Sequence, residues 1–186
     1  MARWQPDACG RIQEAAYALY AERGYDATTI SDIAERAGLT KRTYFRHFPD
    51  KREVLFWGSE ALEELFVGGV TDAPPSASPL AAIGIALDAV GEMFAERREF
   101  ATVRHGIIQA TPELQERERI KLARLAESVA VALRGRGVGD PAAILAAEAG
   151  MAVFHVAFAR WIADADRSLQ DLAREALAEL RAIASA

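Results

Sequence analysis

Residues 28–52 read TTISDIAERAGLTKRTYFRHFPDKR, two short amphipathic patterns separated by the tetrapeptide AGLT. In the first pattern Thr29 stands three residues before Asp32, the spacing of a capping box, and an acidic side chain there also suits the positive end of a helix dipole. Ile30, Ile33, Ala34 and Ala37 form its apolar stripe, and Gly38 follows where a left-handed residue ends a helix. In the second pattern Thr40 is the expected N-cap of a short helix that stops near Phe48 and Pro49. Two short helices joined in this way have the proportions of a helix-turn-helix, with the second helix free to enter a groove.

The second helix is basic. Lys41 and Arg42 lie at its N-terminal end, where an arginine is able to donate two hydrogen bonds to O6 and N7 of a guanine. Thr40, Thr43, His47 and Lys51 are side chains suited to phosphate oxygens, which set register without reading sequence. The same run also fits an ordinary solvated helix face. The turn spacing, the two caps and the charge of the surrounding chain favour the binding reading. Residues 1–52 carry 9 Lys/Arg against 7 Asp/Glu, while the remainder carries 13 against 20, so an anionic partner would meet the head of an otherwise acidic chain.

Outward from this stretch the chain reads as helix throughout. A first helix is expected from about Asp7 to Arg23, stopping at Gly24, and a fourth from Asp50 through KREVLFWGSEALEELF. Loop residues TDAPPSASP follow at 71–79, then five helices at about 79–97, 99–110, 112–134, 141–164 and 167–184. The expectation is an all-α protein of about nine helices, with residues 1–52 as a helix-turn-helix domain and 53–186 as a larger helical domain. With 186 residues, 51% of them hydrophobic and 26% charged, the composition is that of an ordinary globular protein. Cys9 is the single cysteine, which excludes an internal disulfide and any cysteine-based zinc cluster. The N-terminal residues are polar and no run approaches eighteen consecutive apolar residues, so the expectation is a cytoplasmic protein without a membrane partner.

The segment GYDATTISDIAERAGLTKRTYFRHFPDKREVLF resembles the N-terminal signature of the TetR family of bacterial one-component transcriptional regulators. The resemblance runs over about residues 7–56, and the all-helical body agrees with it. It implies a double-stranded DNA operator, with Thr29, Thr40, Thr43, His47 and Lys51 at positions that hold phosphates. Ser31, Lys41 and Arg42 match positions that reach bases, and Arg46 could do either. Two departures stand out. The family commonly has a small residue where Arg42 stands, and Leu-Tyr where this chain has Tyr44-Phe45. A phosphate-bonding hydroxyl is thereby missing at 45, and Tyr44 either supplies it or fills the core beside Phe45 and Phe48.

In such regulators the body forms an effector cavity and a homodimer interface. The helix from Pro141 has a large face (Ile144, Ala147, Met151, Phe154, Phe158, Trp161) and a small one (Leu145, Ala149, Ala152, Val156, Ala159, Ala163). The small face, with Leu172, Ala176 and Leu180 of the last helix, is the expected dimer surface, since small residues let helices approach closely. Apolar candidates for a pocket come from several helices: Trp57, Met93, Phe94, Phe100, Ile108, Phe154 and Phe158. Arg104, Glu148 and His155 sit in apolar helical segments, where a buried charge needs a partner.

Residues 110–138, ATPELQERERIKLARLAESVAVALRGRGV, also resemble part of actinobacterial members associated with mycofactocin genes, which respond to acyl-CoA. That likeness implies a small hydrophobic or amphipathic effector such as an acyl chain. No metal and no cofactor is expected. Glu113, Glu116 and Glu118 lie among Arg117, Arg119 and Lys121 as a solvated face, GRGVG is a helix stop and turn, and no catalytic fingerprint occurs, so no enzymatic activity is expected. The reading is an effector-released repressor. An activator shares every feature, and a helical adaptor with a basic docking helix is the alternative from another class.

Overall fold

The computed structural model describes residues 8–185, and among them it contains ten α-helices and no strand. They are α1 (Ala8–Arg23), α2 (Ile30–Arg36), α3 (Lys41–His47), α4 (Glu53–Phe56), α5 (Ser59–Thr71), α6 (Pro79–Phe94), α7 (Arg98–Gln109), α8 (Pro112–Gly135), α9 (Ala142–Ala163) and α10 (Leu169–Ala184). The expected start of α1 at Asp7 lies outside the described residues.

The expected caps form. Thr29 accepts a hydrogen bond from the Asp32 N–H while Asp32 accepts one from the Thr29 N–H, a complete capping box. Thr40 accepts from the Thr43 N–H at 3.1 Å. Asp50 accepts from the N–H groups of Arg52 and Glu53 at 2.8 and 3.1 Å, fixing the entry to α4. Gly38 has φ 65, the left-handed conformation that turns the chain between α2 and α3.

The expected long fourth helix is broken. Trp57 is extended (ψ 133) and Gly58 is left-handed (φ 93, ψ -4), so α4 ends after four residues and α5 begins at Ser59. Apolar periodicity continues across the break, which is why the sequence reads as one helix. Glycine permits the turn at no steric cost.

The chain forms two compact units. Among the described residues the first comprises 8–57 together with 102–118, and the second comprises 58–101 together with 119–185. In the first, α1 packs against α2, α3 and α4. Its core holds Ile12, Ala16 and Tyr20 of α1, Ile33 of α2, Tyr44 of α3, Val54, Leu55 and Phe56 of α4, and Ile108 and Leu114. Arg104 ties this unit together: Nε donates to the Leu55 carbonyl at 2.6 Å and Nη1 to Glu118 at 2.7 Å, with the guanidinium over the Phe56 ring. A second ion pair, Arg117 with Glu53 at 2.8 Å, lies alongside in sequence.

In the second unit α5 packs on α6, α6 on α9 and α10, and α9 on α10. Small residues set the separation. A Cβ on Gly69 would stand 2.6 Å from the Ala86 Cα, and one on Gly150 would stand 2.8 Å from Ile83. Arg98 donates to the carbonyls of Trp161, Asp164 and Arg167 and stacks on the Trp161 ring, pinning the turn between α9 and α10 to the start of α7. Among the described residues α9 is the one helix long and apolar enough to cross a membrane by length and composition. The core helix of a globular protein meets the same measure, and Ala147, Met151, Phe154 and Trp161 of α9 are buried in this unit's core.

Candidate nucleic-acid interface

The side chains of α3 divide by face. Tyr44 and Phe48 are buried in the core of the first unit, while Lys41, Arg42, Phe45 and Arg46 form an exposed arc. Thr43 and His47 stand half-buried at its edge. Helical geometry places Phe45 between Lys41, one turn before it, and Arg42, three residues before it. The arc therefore offers three cations around an aromatic ring, on a helix whose other side is fully packed. Arg11 of α1 donates to the carbonyls of Ala37 and Gly38, which holds the turn before α3 in place.

Several expected DNA-binding residues are already engaged. The Thr29 hydroxyl serves the capping box, and its N–H holds the Asp32 carboxyl below its ordinary pKa, followed by the hydroxyl itself. Thr40 and Thr43 share a hydroxyl contact at 3.0 Å. His47 Nδ1 lies 3.5 Å from the Cys9 sulfur, and its Nε2 lies 3.5 Å from Arg46. Ser31 is half-buried on α2.

On α3 and just after it, the fold resolves one open reading and changes two. Tyr44 is core: its ring is fully buried and its hydroxyl donates to the Asp50 carbonyl at 3.1 Å, which leaves no donor for a phosphate. Burial, with the Asp50 charge behind it, pushes the phenol above its ordinary pKa and keeps it a neutral donor. Phe45, expected beside Phe48 in the packing floor, is instead 51% exposed. Lys51 points back into its own unit, donating to the Tyr25 and Thr28 carbonyls at 2.8 and 3.0 Å with its ammonium 3.9 Å from the Tyr25 ring centre. Partial burial holds its pKa below the usual lysine value, against the pull of Asp26 and Glu113.

The expected pocket residues divide between the two units. Phe94, Phe154 and Phe158 do meet, with Trp161, in an aromatic cluster whose ring centres lie 5.6–6.5 Å apart. Met93 is half-buried on α6. Arg104 and Ile108 belong to the first unit, where Ile108 is core and Arg104 pairs with Glu118. Trp57 and Phe100 are exposed. Glu148 and His155 face solvent on α9, so neither is a charge buried among apolar helices. Periodicity places a residue on a helix, but α9 is apolar on nearly every side and hides which face is wet.

The expected dimer surface divides too. Leu145 (65%) and Val156 (53%) are exposed on α9 with Ala152 and Ala159, and Ala149 and Leu180 are half-buried. Leu172 instead belongs to the inward stripe of α10, which the core of the second unit absorbs, while Ala176 packs at the edge of that core and also lines the groove between α9 and α10. A groove runs between the outer faces of α9 and α10, with Ala152, Val156, Leu180 and Ile183 along it and Arg160 and Glu179 at its rim.

Comparison with known proteins places both halves of the chain. Residues 12–56 match the model of bacterial regulatory proteins of the tetR family, and residues 77–184 match the MftR C-terminal domain. TcmR of Streptomyces glaucescens, an HTH-type transcriptional regulator, is 37% identical over 75 residues, 40% of this chain. The chain spans about a third (33%) of that relative's length in the match. MftR of Mycobacterium tuberculosis is 28% identical over 167 residues, covering 86% of this chain and 82% of the relative. The solved structure of Thermus thermophilus FadR, a repressor in complex with lauroyl-CoA, superposes with a TM-score of 0.57 at 23% identity over 91% of each chain, which is a likeness of fold.

Proposed function

This chain belongs to the TetR family of bacterial regulatory proteins, and on that footing we propose that it is a DNA-binding transcriptional regulator, an effector-released repressor acting as a homodimer in the cytoplasm. The observation that carries the reading is the exposed arc of Lys41, Arg42 and Arg46 on a packed, capped α3. Each protomer would set α3 into a major groove, Arg42 and Lys41 toward base edges and Thr29, Thr40, Thr43 and His47 toward phosphates, with Ser31 near the bases and Arg46 at either. We take the compact unit that ends at Trp57 and includes residues 102–118 as the DNA-binding module. Two copies joined through the outer faces of α9 and α10 would present half-sites one helical turn apart, about 34–36 Å.

The likeness of residues 77–184 to the MftR C-terminal domain supports a small hydrophobic or amphipathic effector, an acyl chain or acyl-CoA, bound by the second unit. The chain passes between its two units at three places. At residues 57–58 a left-handed glycine interrupts the helix, whereas α7 and α8 cross at 101–102 and 118–119 without a break. We therefore place the effector signal on α7 and α8.

A gel shift with the DNA upstream of this chain's own coding sequence tests the reading. A saturable band that weakens steeply with salt is expected, since each neutralised phosphate contributes a slope of about 0.9 in log affinity against log salt. Long-chain acyl-CoA added to the complex should release the DNA. A helical adaptor would give no saturable band at any salt concentration.

A further inference from the structure

Phe45 is a large apolar side chain left in water in the middle of a basic arc. Its ring is held in place rather than loose. One edge packs against the Tyr44 ring at 5.7 Å and 83°, and Tyr44 is itself fixed by its bond to the Asp50 carbonyl and by contact with Phe48. Phe45 remains half exposed, and helix geometry sets Lys41 and Arg42 on the same face one turn before it. Phenylalanine has no donor for a phosphate and no acceptor for a base edge. What a DNA groove offers such a ring is narrow in kind: in the major groove the apolar feature of the base pairs is the C5-methyl of thymine. The flanking cations draw the helix onto the duplex, and the ring arrives in register with them because it shares their helix face.

Resting on the DNA-binding reading above, we propose that Phe45 is a specificity-determining residue that reads a thymine methyl group in each half-site, beside the base contacts of Arg42. The Tyr44-Phe45 pair then has a division of work. The ring with a hydroxyl goes inside, where a carbonyl accepts its hydrogen bond, and the ring without one goes outside, where it meets a methyl group.

The test uses the full-length protein and a duplex that it selects from a randomised pool. Each thymine of the selected site is replaced, one position at a time, by deoxyuridine, which removes the methyl and leaves the Watson–Crick edge intact. Wild-type protein should lose roughly fourfold in affinity at one thymine per half-site, the worth of one buried methyl. Phe45→Ala should bind the thymine and deoxyuridine duplexes alike while retaining its guanine preference at the Arg42 position, and Phe45→Leu should keep part of the difference. Equal wild-type affinity for thymine and deoxyuridine at every position overturns the proposal, as does an undiminished difference in Phe45→Ala. Both outcomes leave DNA binding standing. A pool from which nothing is enriched overturns the DNA-binding reading and this inference with it. If Phe45→Ala fails to fold, Phe45→Leu carries the assignment, and a thymine–deoxyuridine difference undiminished in it overturns the proposal.

Discussion

Arg42 and Lys51 are both basic and nine positions apart, yet the fold gives them different surroundings. Arg42 is exposed on α3, so its guanidinium is free to meet a base edge, and Arg42→Ala should relax specificity at one base pair at a cost of about 1–3 kcal/mol. Binding measured against a panel of single-base variants checks this, and an equal loss on all sequences would show a phosphate contact instead. Lys51 spends two of its three donors on the Tyr25 and Thr28 carbonyls. Lys51→Ala should therefore lower unfolding stability by about 1 kcal/mol, a charged hydrogen-bond loss discounted for partial solvation. It should leave the salt dependence of DNA binding unchanged. A salt slope reduced by about one, with stability intact, would return Lys51 to the phosphates. The sequence names both residues as basic and near a helix-turn-helix, but it carries no sign of which way either side chain turns.

At the scale of elements, the caps of α2 and α3 and the turn at Gly38 were legible because each depends on residues within four positions of one another. Asp32 illustrates the consequence. Its carboxyl is held below the ordinary value of 3.8 by the Thr29 N–H, then by the Thr29 hydroxyl. A depressed folded pKa adds stability that is fully present above the ordinary value and is lost as pH falls through the folded one. The difference in melting temperature between wild type and Asp32→Ala should thus be constant near neutrality and shrink as pH drops below 3.8. A difference that stays flat in acid would remove the ionic part of the cap. The break at Gly58 was not legible, because Val54, Leu55, Phe56, Leu62 and Phe66 continue an apolar pattern through it. Gly58→Ala forces a Cβ into the left-handed region, with an expected cost of about 1–2 kcal/mol in chemical denaturation. A neutral or stabilising substitution would mean that α4 and α5 can join.

At the scale of the molecule, the outer face of α9 is the feature that a lone chain leaves unexplained. Leu145 and Val156 lie in the open with small residues between them, while the opposite side of the helix is buried in its unit. If this face joins two copies, the double substitution Leu145→Glu and Val156→Glu should convert a dimer to a monomer in sedimentation. It should also abolish tight binding to a two-half-site duplex while sparing weak binding to a single half-site. A dimer that survives both charges would place the interface elsewhere. Leu172 is not part of this test, because the core of the second unit already uses it.

The helical class, the position of the helix-turn-helix, its caps and the family are legible in the residues alone, since these depend on short-range spacing and on a long local signature. Tertiary structure decided everything that depends on which side of a helix is covered. Tyr44 and Phe45 are neighbours of similar size and hydrophobicity, and only the packing of α1 and α2 against α3 determines that the first is core and the second is not. Arg104 finds Glu118 and the Leu55 carbonyl, because a charge pairs with what folding brings within hydrogen-bond distance. The stretch at 28–52 specified a helix available to a groove; the fold specified that its face presents three cations around one aromatic ring.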